Sequence, residues 1–111
     1  MIIAERIIYF LESNAKKAIS IKISIPESDG SSWVCHYEID WPDHPRKSFA
    51  AGIDSVQALH LALQKIGIDI YMSKYHQTGN LYWESPNNGY GFPIPKDGCD
   101  LLVGTDNVFE G

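Results

Sequence analysis

The chain has 111 residues, of which 44% are apolar, and its 9 basic and 14 acidic residues give a formal net charge of −5. This length predicts one domain with a core of modest size. The acidic balance argues against non-specific binding to a phosphate backbone, which requires clustered Lys and Arg, and it is compatible with a basic protein partner.

The N-terminal segment, residues 1–11, is rich in Ile but is interrupted by Glu5 and Arg6. A secretory signal would begin with positive charge and continue with an unbroken apolar run to a small-residue cleavage site. No stretch approaches the roughly 18 apolar residues of a membrane span. The two cysteines, Cys35 and Cys99, are too few for a secreted disulfide framework. We therefore expect a cytoplasmic protein.

Residues 1–11 favour a strand because of their Ile content, although a short helix also fits the spacing. A turn is expected at Asn14. Ile then alternates with polar residues from Ile19 to Ile25, which predicts a strand with one solvent-facing side. Pro26 ends that strand, and the composition of residues 27–32 predicts a turn.

The next predicted strand runs from residue 33 to residue 41. The side chains that share its apolar face are Trp33, Cys35, Tyr37, Ile39 and Trp41. The opposite face carries Val34, His36, Glu38 and Asp40. Residues 46–51 are expected to return antiparallel to this strand, because connections this short normally join neighbours.

A helix is predicted to begin near Ser55 and to end between Ile70 and His76. Asp54 is a good N-cap residue, and Gln57 supplies the second half of a capping box. The apolar stripe expected to face the sheet consists of Val56, Leu59, Leu63, Ile66 and Ile70.

After the helix, residues 81–84 predict a short strand, and the Gly and Pro residues of 85–111 predict an irregular tail. The side chains that could pack this tail down are Tyr90, Phe92, Ile94, Leu101 and Leu102. We predict an α+β fold, an antiparallel sheet of about four to five strands with one main helix packed on one face. Residues 1–111 are expected to form a single domain, with a core at 1–84 and the tail at 85–111.

Signs of catalytic or metal chemistry are few. The potential ligands have no Cys-x-x-Cys or His-x-x-x-His spacing; they are His36, His44, His60, His76, Cys35 and Cys99. Cys35 lies on an apolar strand face, and the carboxylates around Cys99 disfavour its thiolate. Glu38 and Asp40 share a strand face, as paired catalytic carboxylates can, but a solvated acidic edge explains them as well. We expect no enzymatic activity, no cofactor and no metal.

Two acidic regions that contain aromatic residues suit recognition of a basic protein, because charge speeds encounter and rings supply binding energy. One is the end of the strand at residues 38–43, and the other is the tail. The predicted partner contacts are Glu38, Asp40, Trp41, Asp43, Tyr90, Phe92, Asp97 and Asp100. The alternative is that the strand aromatics belong to the core and that the tail charges only increase solubility.

Several motifs together resemble a family of small bacterial proteins known only as a domain of unknown function. They are Ala4-Glu-Arg6, Ile23-x-Ile25-Pro26, Trp33-x-Cys35-x-Tyr37-x-Ile39, the helix start Gly52-x-Asp-Ser-x-Gln-Ala-Leu59, Leu81-x-Trp83 and Gly91-Phe-Pro-Ile-Pro95. The resemblance implies no activity, cofactor or catalytic residue.

The overall type is similar to the immunity proteins of bacterial competition systems, which are small, acidic and cytoplasmic. Together with the acidic balance, the lack of a catalytic constellation and the aromatic residues of the tail, this similarity leads us to expect a non-enzymatic protein. It would neutralise a basic toxin, expected to be a nuclease, by occluding its active site. The alternatives are an accessory or housekeeping domain acting as a homodimer, and a partner-binding antitoxin-like module. No binding to nucleic acid or membrane is expected, and the chain is expected to be a monomer or a weak homodimer.

Overall fold

The computed structural model describes residues 1–85 and 89–94, which form an open antiparallel sheet of six strands and one main helix that packs against it. The strands are β1 (Ile2–Glu12), β2 (Ala15–Ser24), β3 (Glu27–Ser28), β4 (Trp33–Asp40), β5 (Pro45–Gly52) and β6 (Leu81–Tyr82). The helices are α1 (Ser55–Tyr71) and the short α2 (Lys74–Gln77). The predicted α+β class is confirmed, with one or two strands more than expected.

The strand order in the sheet is β3-β4-β2-β1-β6, and β5 pairs with β4 along its whole length. The N-terminal segment is a strand, which settles the choice left open between strand and helix. The turn expected at Asn14 is present between β1 and β2. Ser13 and Asn14 have φ values of 53° and 65°, the two positive angles that a two-residue type I′ hairpin requires.

The turn predicted over residues 27–32 is too long, because Glu27 and Ser28 pair with β4 as strand β3. The turn itself is formed by the next four residues, where the Asp29 carboxylate accepts from the backbone N–H groups of Ser31 and Ser32 at 2.9 and 2.7 Å. These hydrogen bonds, that from Ser32 first, lower the pKa of Asp29 below its usual value.

The contacts divide the chain into two compact units, and the single domain stays a prediction. Unit 1 comprises residues 1–7 and 19–63, and unit 2 comprises residues 8–18 and 64–111. The described part of the tail therefore belongs to the same unit as the second half of α1.

The core of unit 1 comes from one face of β2 and β4 together with two small side chains of α1. Its members are Ile19, Ile21, Ile23, Cys35, Tyr37, Ile39, Ala58 and Ala62, all 5% exposed or less. The predicted alternation in both strands is confirmed at these positions. At the ends it weakens, since Ile25 is 39% exposed and Trp33 and Trp41 are half-buried.

The predicted apolar stripe of α1 is confirmed at Ile66 and Ile70, and it is wrong at Val56 and displaced at the positions in between. Val56 is 74% exposed, and Leu59 and Leu63 are half-buried, whereas the fully buried positions follow one another four residues apart. Those positions are Ala58, Ala62, Ile66 and Ile70. Alanine allows a helix to approach a sheet closely, so its small side chain marks the buried face more reliably here than the larger leucines do.

The start of α1 is capped as predicted. The Asp54 Oδ1 accepts from the Gln57 N–H at 2.8 Å, and the Gln57 Oε1 accepts from the Ile53 N–H at 2.7 Å. The return bond thus reaches Ile53 and not the N–H of Asp54 itself. Gly52, at the end of β5, has no room for a side chain, because a Cβ there would lie 2.6 Å from the backbone N of Ala58.

Unit 2 contains a segment without regular structure, residues 89–94, which we call the strap. Its side chains Tyr90, Phe92 and Ile94 are at most 6% exposed. Gly67 of α1 permits this packing, because a Cβ at that position would lie 2.6 Å from the Cδ1 of Ile94. The irregular tail is confirmed for these residues; residues 86–88 and 95–111 lie outside the described part of the chain.

Candidate functional site

The face of the unit 1 sheet opposite its core carries polar and charged side chains, and we call it the open face. Strand register places Lys47 of β5 opposite Glu38 of β4, and Glu38 opposite Lys22 of β2. These three residues form a cross-strand row of alternating charge, the charged row. Side chains at directly opposite positions on one sheet face lie close enough to interact.

A second row lies two residues away along the strands, on the same face. His36 of β4 lies opposite Phe49 of β5, and their ring centroids are 5.6 Å apart with the planes at 48°. We call these two residues the ring pair. Phe49 is 50% exposed, a large fraction for an aromatic side chain.

The charged row and the ring pair line one shallow concavity of about 330 Å³. Its other lining residues are Ile2, Ser24, Tyr37 and Ser48. We call this depression the open-face concavity. All of its lining residues belong to unit 1. The concavity therefore combines an exposed aromatic surface with both signs of charge.

Two ion pairs organise the charges of the open face. Lys22 Nζ lies 3.4 Å from Asp40 Oδ2, and Lys47 Nζ lies 3.8 Å from Glu38 Oε1. The side chains of Lys47 and Glu38 are 75% and 30% exposed. Exposed ion pairs of this kind contribute about 0–1 kcal/mol, so both carboxylates can exchange partners at little cost.

The predicted contact residues of the strand end lie together. Glu38 and Asp40 project from the open face at the end of β4, and Trp41 and Asp43 follow in the connection to β5. Asp43 is 40% exposed at its side chain, with His44 Nδ1 at 3.2 Å. Trp41 is half-buried.

The predicted contacts of the tail are placed differently. Tyr90 is 2% exposed and Phe92 is 6% exposed, so the expectation that their rings face a partner is wrong. Both rings pack in unit 2, since aromatic residues in a short irregular segment stabilise it best by burial. Asp97 and Asp100 lie outside the described residues.

Tyr90 takes part in a buried polar arrangement that the sequence did not indicate. Its hydroxyl lies 2.6 Å from His76 Nδ1 and 3.3 Å from the carbonyl oxygen of Leu81. The ring of Tyr71 contacts the rings of His76 and Tyr90, with centroid distances of 4.8 and 5.2 Å. Burial lowers the pKa of His76 below its usual value. These contacts hold the strap against α2 and α1 within unit 2.

Three residues of the concavity were not indicated by the sequence pattern: Lys22, Lys47 and Phe49. Alternation within a strand assigns each residue to a face, but it does not say which residues of two strands lie side by side. Register does, and it depends on the number of residues in each turn. The charge alternation across three strands becomes visible only once the register is known.

The described residues offer little for metal or thiol chemistry. Within residues 1–85 and 89–94, no group of three or more His, Cys, Asp or Glu side chains converges as a metal site would require. Cys35 is fully buried, its Sγ donates to the carbonyl of Ser24 at 3.4 Å, and burial raises the pKa of the thiol. In the same part of the chain, no helix has the length and apolar character needed to cross a membrane.

Comparison with known proteins identifies a family. A family model described as "Domain of unknown function (DUF6968)" matches residues 4–94, most of the chain. The chain belongs to the DUF6968 family. This result confirms the predicted resemblance to an uncharacterised family. No curated protein and no solved structure matches the chain.

Proposed function

We propose that this chain is a non-enzymatic, cytoplasmic immunity protein that neutralises a cationic toxin, expected to be a nuclease, by occluding its active site. The observation that carries the proposal is the grouping of Glu38, Asp40 and Asp43 at one end of the β4–β5 hairpin. Each of these carboxylates is at least 30% exposed at its side chain. Trp41 lies among them as a half-buried aromatic.

The lysines near these carboxylates weaken the acidic field but do not cancel it. Unit 1 has more carboxylates than cations: Glu5, Glu27, Asp29, Glu38, Asp40, Asp43 and Asp54 against Arg6, Lys22, Arg46 and Lys47. An excess of negative charge steers a cationic partner toward the surface and raises its association rate. Within the complex, Lys22 and Lys47 can turn to solvent while the carboxylates bind cationic side chains of the partner.

Occlusion needs no chemistry from this chain. A nuclease holds its substrate with cationic groups, and carboxylates placed against those groups compete with the phosphates. The exposed rings of His36 and Phe49 would add affinity at the centre of the interface, where aromatic residues contribute most.

A second candidate function is an accessory domain that acts as a homodimer through the open face. The observation in its favour is the exposed apolar surface at Ile2 and Phe49, 51% and 50% exposed. Light scattering across protein concentration separates the two, because a monomer at all concentrations would exclude the dimer. An antitoxin-like module shares the predictions of the immunity proposal and differs in the toxin that it binds.

The test of the immunity proposal uses the polypeptide encoded beside this gene in its source genome as the candidate toxin. Co-expression of the intact chain is expected to restore growth of cells that produce the toxin, and the purified proteins are expected to form a complex. The double variant Glu38→Lys, Asp40→Lys should slow association by about tenfold and reduce its dependence on salt.

The matched control is Glu12→Lys, which changes a carboxylate of unit 2 that also pairs with a lysine, Lys17, at 3.0 Å. It should associate much faster than the double variant. Protection by the double variant equal to that of the intact chain would refute the acidic-face mechanism. Absence of both protection and complex would refute the immunity proposal for that toxin.

A further inference from the structure

The open-face concavity brings a carboxylate and an aromatic pair within reach of a single ligand group. Glu38 and His36 are two positions apart on one face of β4, a separation of about 7 Å along the strand. Phe49 extends the aromatic surface onto β5. We propose that this concavity captures one arginine side chain of a partner protein, a proposal that rests on the proposed function for the partner's cationic character.

A guanidinium group fits this combination better than an ammonium group does. It is planar, so it stacks on an aromatic ring within about 6 Å of the centroid. Its N–H donors diverge in the same plane, so two of them can bind a carboxylate while the plane rests on a ring. A lysine ammonium also interacts with rings and carboxylates, but it lacks the flat face and the diverging donors that engage both at once. The ring pair and Glu38 together therefore select arginine.

The lysines of the charged row leave Glu38 able to accept such a donor. Lys47 Nζ is 3.8 Å from the Glu38 carboxylate, longer than a hydrogen bond, and its side chain is 75% exposed. Lys22 is engaged by Asp40 at 3.4 Å. An incoming guanidinium at Glu38 thus displaces only the loosely held Lys47.

Size and charge disfavour other occupants. A volume of about 330 Å³ lies at the low end of the range of roughly 300–1,000 Å³ seen for ligand pockets, which suits one side chain better than a large cofactor. An acidic group placed between the two lysines would face Glu38 at the centre of the charged row. A second copy of the chain would bring two charged rows together and bury several ions at a cost.

The test is a titration of the ¹⁵N-labelled full chain with L-arginine amide, followed by amide chemical shifts. Saturable shifts are expected at residues 36–38 and 47–49, with a dissociation constant on the order of 1–10 mM. L-Lysine amide and the neutral isostere L-citrulline amide should bind at least several-fold more weakly. Glu38→Gln should weaken arginine binding by about tenfold or more, and Phe49→Ala by about threefold or more.

The control variant is Glu12→Gln, which neutralises a lysine-paired carboxylate of unit 2 and should bind arginine amide as the intact chain does. Dispersed spectra establish that each variant is folded. The proposal is overturned by absence of saturable shifts, by equal binding of the three amides, or by undiminished binding in Glu38→Gln. Saturable binding of N-acetyl-aspartate amide in place of arginine, or shifts of the same residues on protein dilution, would also overturn it.

These outcomes are separable from those of the immunity test. Arginine binding without protection from the toxin would refute the immunity function and support the arginine site. Protection without arginine binding would support the immunity function and refute the arginine site.

Discussion

Gly52 is the position at which a single added methyl group should do the most damage. In Gly52→Ala the new Cβ would lie 2.6 Å from the backbone N of Ala58 and 2.9 Å from the backbone carbonyl carbon of Gln57. Ordinary contacts are about 3.5–4.0 Å, so the overlap is close to 1 Å. The Ala58 N and the Gln57 carbonyl carbon are backbone atoms of the first turn of α1, and the third atom met is the Gln57 Cβ at 2.9 Å; no change of rotamer can move any of the three.

Relief of the overlap requires the end of β5 and the start of α1 to separate. That movement strains the capping bonds between Asp54, Gln57 and Ile53. Overpacking costs about 1–3 kcal/mol, and we expect a value near 3 kcal/mol because the obstacle is backbone. With a urea dependence of about 2 kcal/mol per molar, the midpoint of unfolding should fall by about 1.5 M.

Urea unfolding followed by tryptophan fluorescence measures this change. Trp33 is the cross-strand partner of Gly52 and is half-buried, so it reports on the altered region. The matched control is Ala51→Ser, a small change at the exposed neighbouring position, expected to stay within about 0.5 kcal/mol of the unaltered chain. If Gly52→Ala unfolds at the same urea concentration as Ala51→Ser, the close approach of β5 to α1 is not a constraint and the argument fails.

Two further predictions concern unit 2. Tyr90→Phe removes the hydroxyl that contacts His76 and Leu81. The free energy of unfolding measured in urea should fall by about 1–3 kcal/mol. Unchanged stability would mean that the strap does not depend on this contact. Burial lowers the pKa of His76 below 6.5, so the unfolded chain takes up a proton at a higher pH than the folded chain does. The free energy of unfolding should therefore decrease as the pH falls below about 6.5. His76→Gln should remove that part of the pH dependence, and an identical slope in both proteins would contradict the assignment.

The sequence predicts much of unit 1 because β2 and β4 alternate between apolar and polar residues through their central positions. Ile19, Ile21 and Ile23 on one strand and Cys35, Tyr37 and Ile39 on another specify the buried face without any knowledge of the partner strand. The N-cap of α1 is equally local, since Asp54 and Gln57 act on backbone groups within a few residues. Local patterns of this kind survive folding unchanged.

The errors come from features that depend on distant parts of the chain. Size alone places the larger Leu59 and Leu63 on the buried stripe of α1, but close approach to the sheet selects Ala58 and Ala62. Tyr90 and Phe92 lie in a segment rich in Gly and Pro, where composition leaves open whether the rings pack the tail down or face a partner. Their burial depends on Gly67, a helical glycine that leaves space for the strap.

The candidate site was only half predictable. Glu38 and Asp40 are predictable as an acidic pair because strand alternation places them on the same face of β4. Lys22 and Lys47, which turn this acidic pair into a row of alternating charge, come from two other strands. Their neighbourhood follows from strand register, which the lengths of the connecting turns determine and composition does not reveal.

The pairing of β4 with β5 has a consequence for how the chain tolerates changes of length. Successive residues of β5 point to opposite faces, so Lys47 and Phe49 belong to the open face while Gly52 closes against α1. One residue inserted within β5 would reverse this assignment on one side of the insertion and turn a lysine or a phenylalanine toward the core. Residues 41–44 lie outside both strands, so an insertion there lengthens a loop and leaves both faces intact. Insertions and deletions compatible with this fold therefore belong in such connections, and the strands that carry the concavity must keep their length.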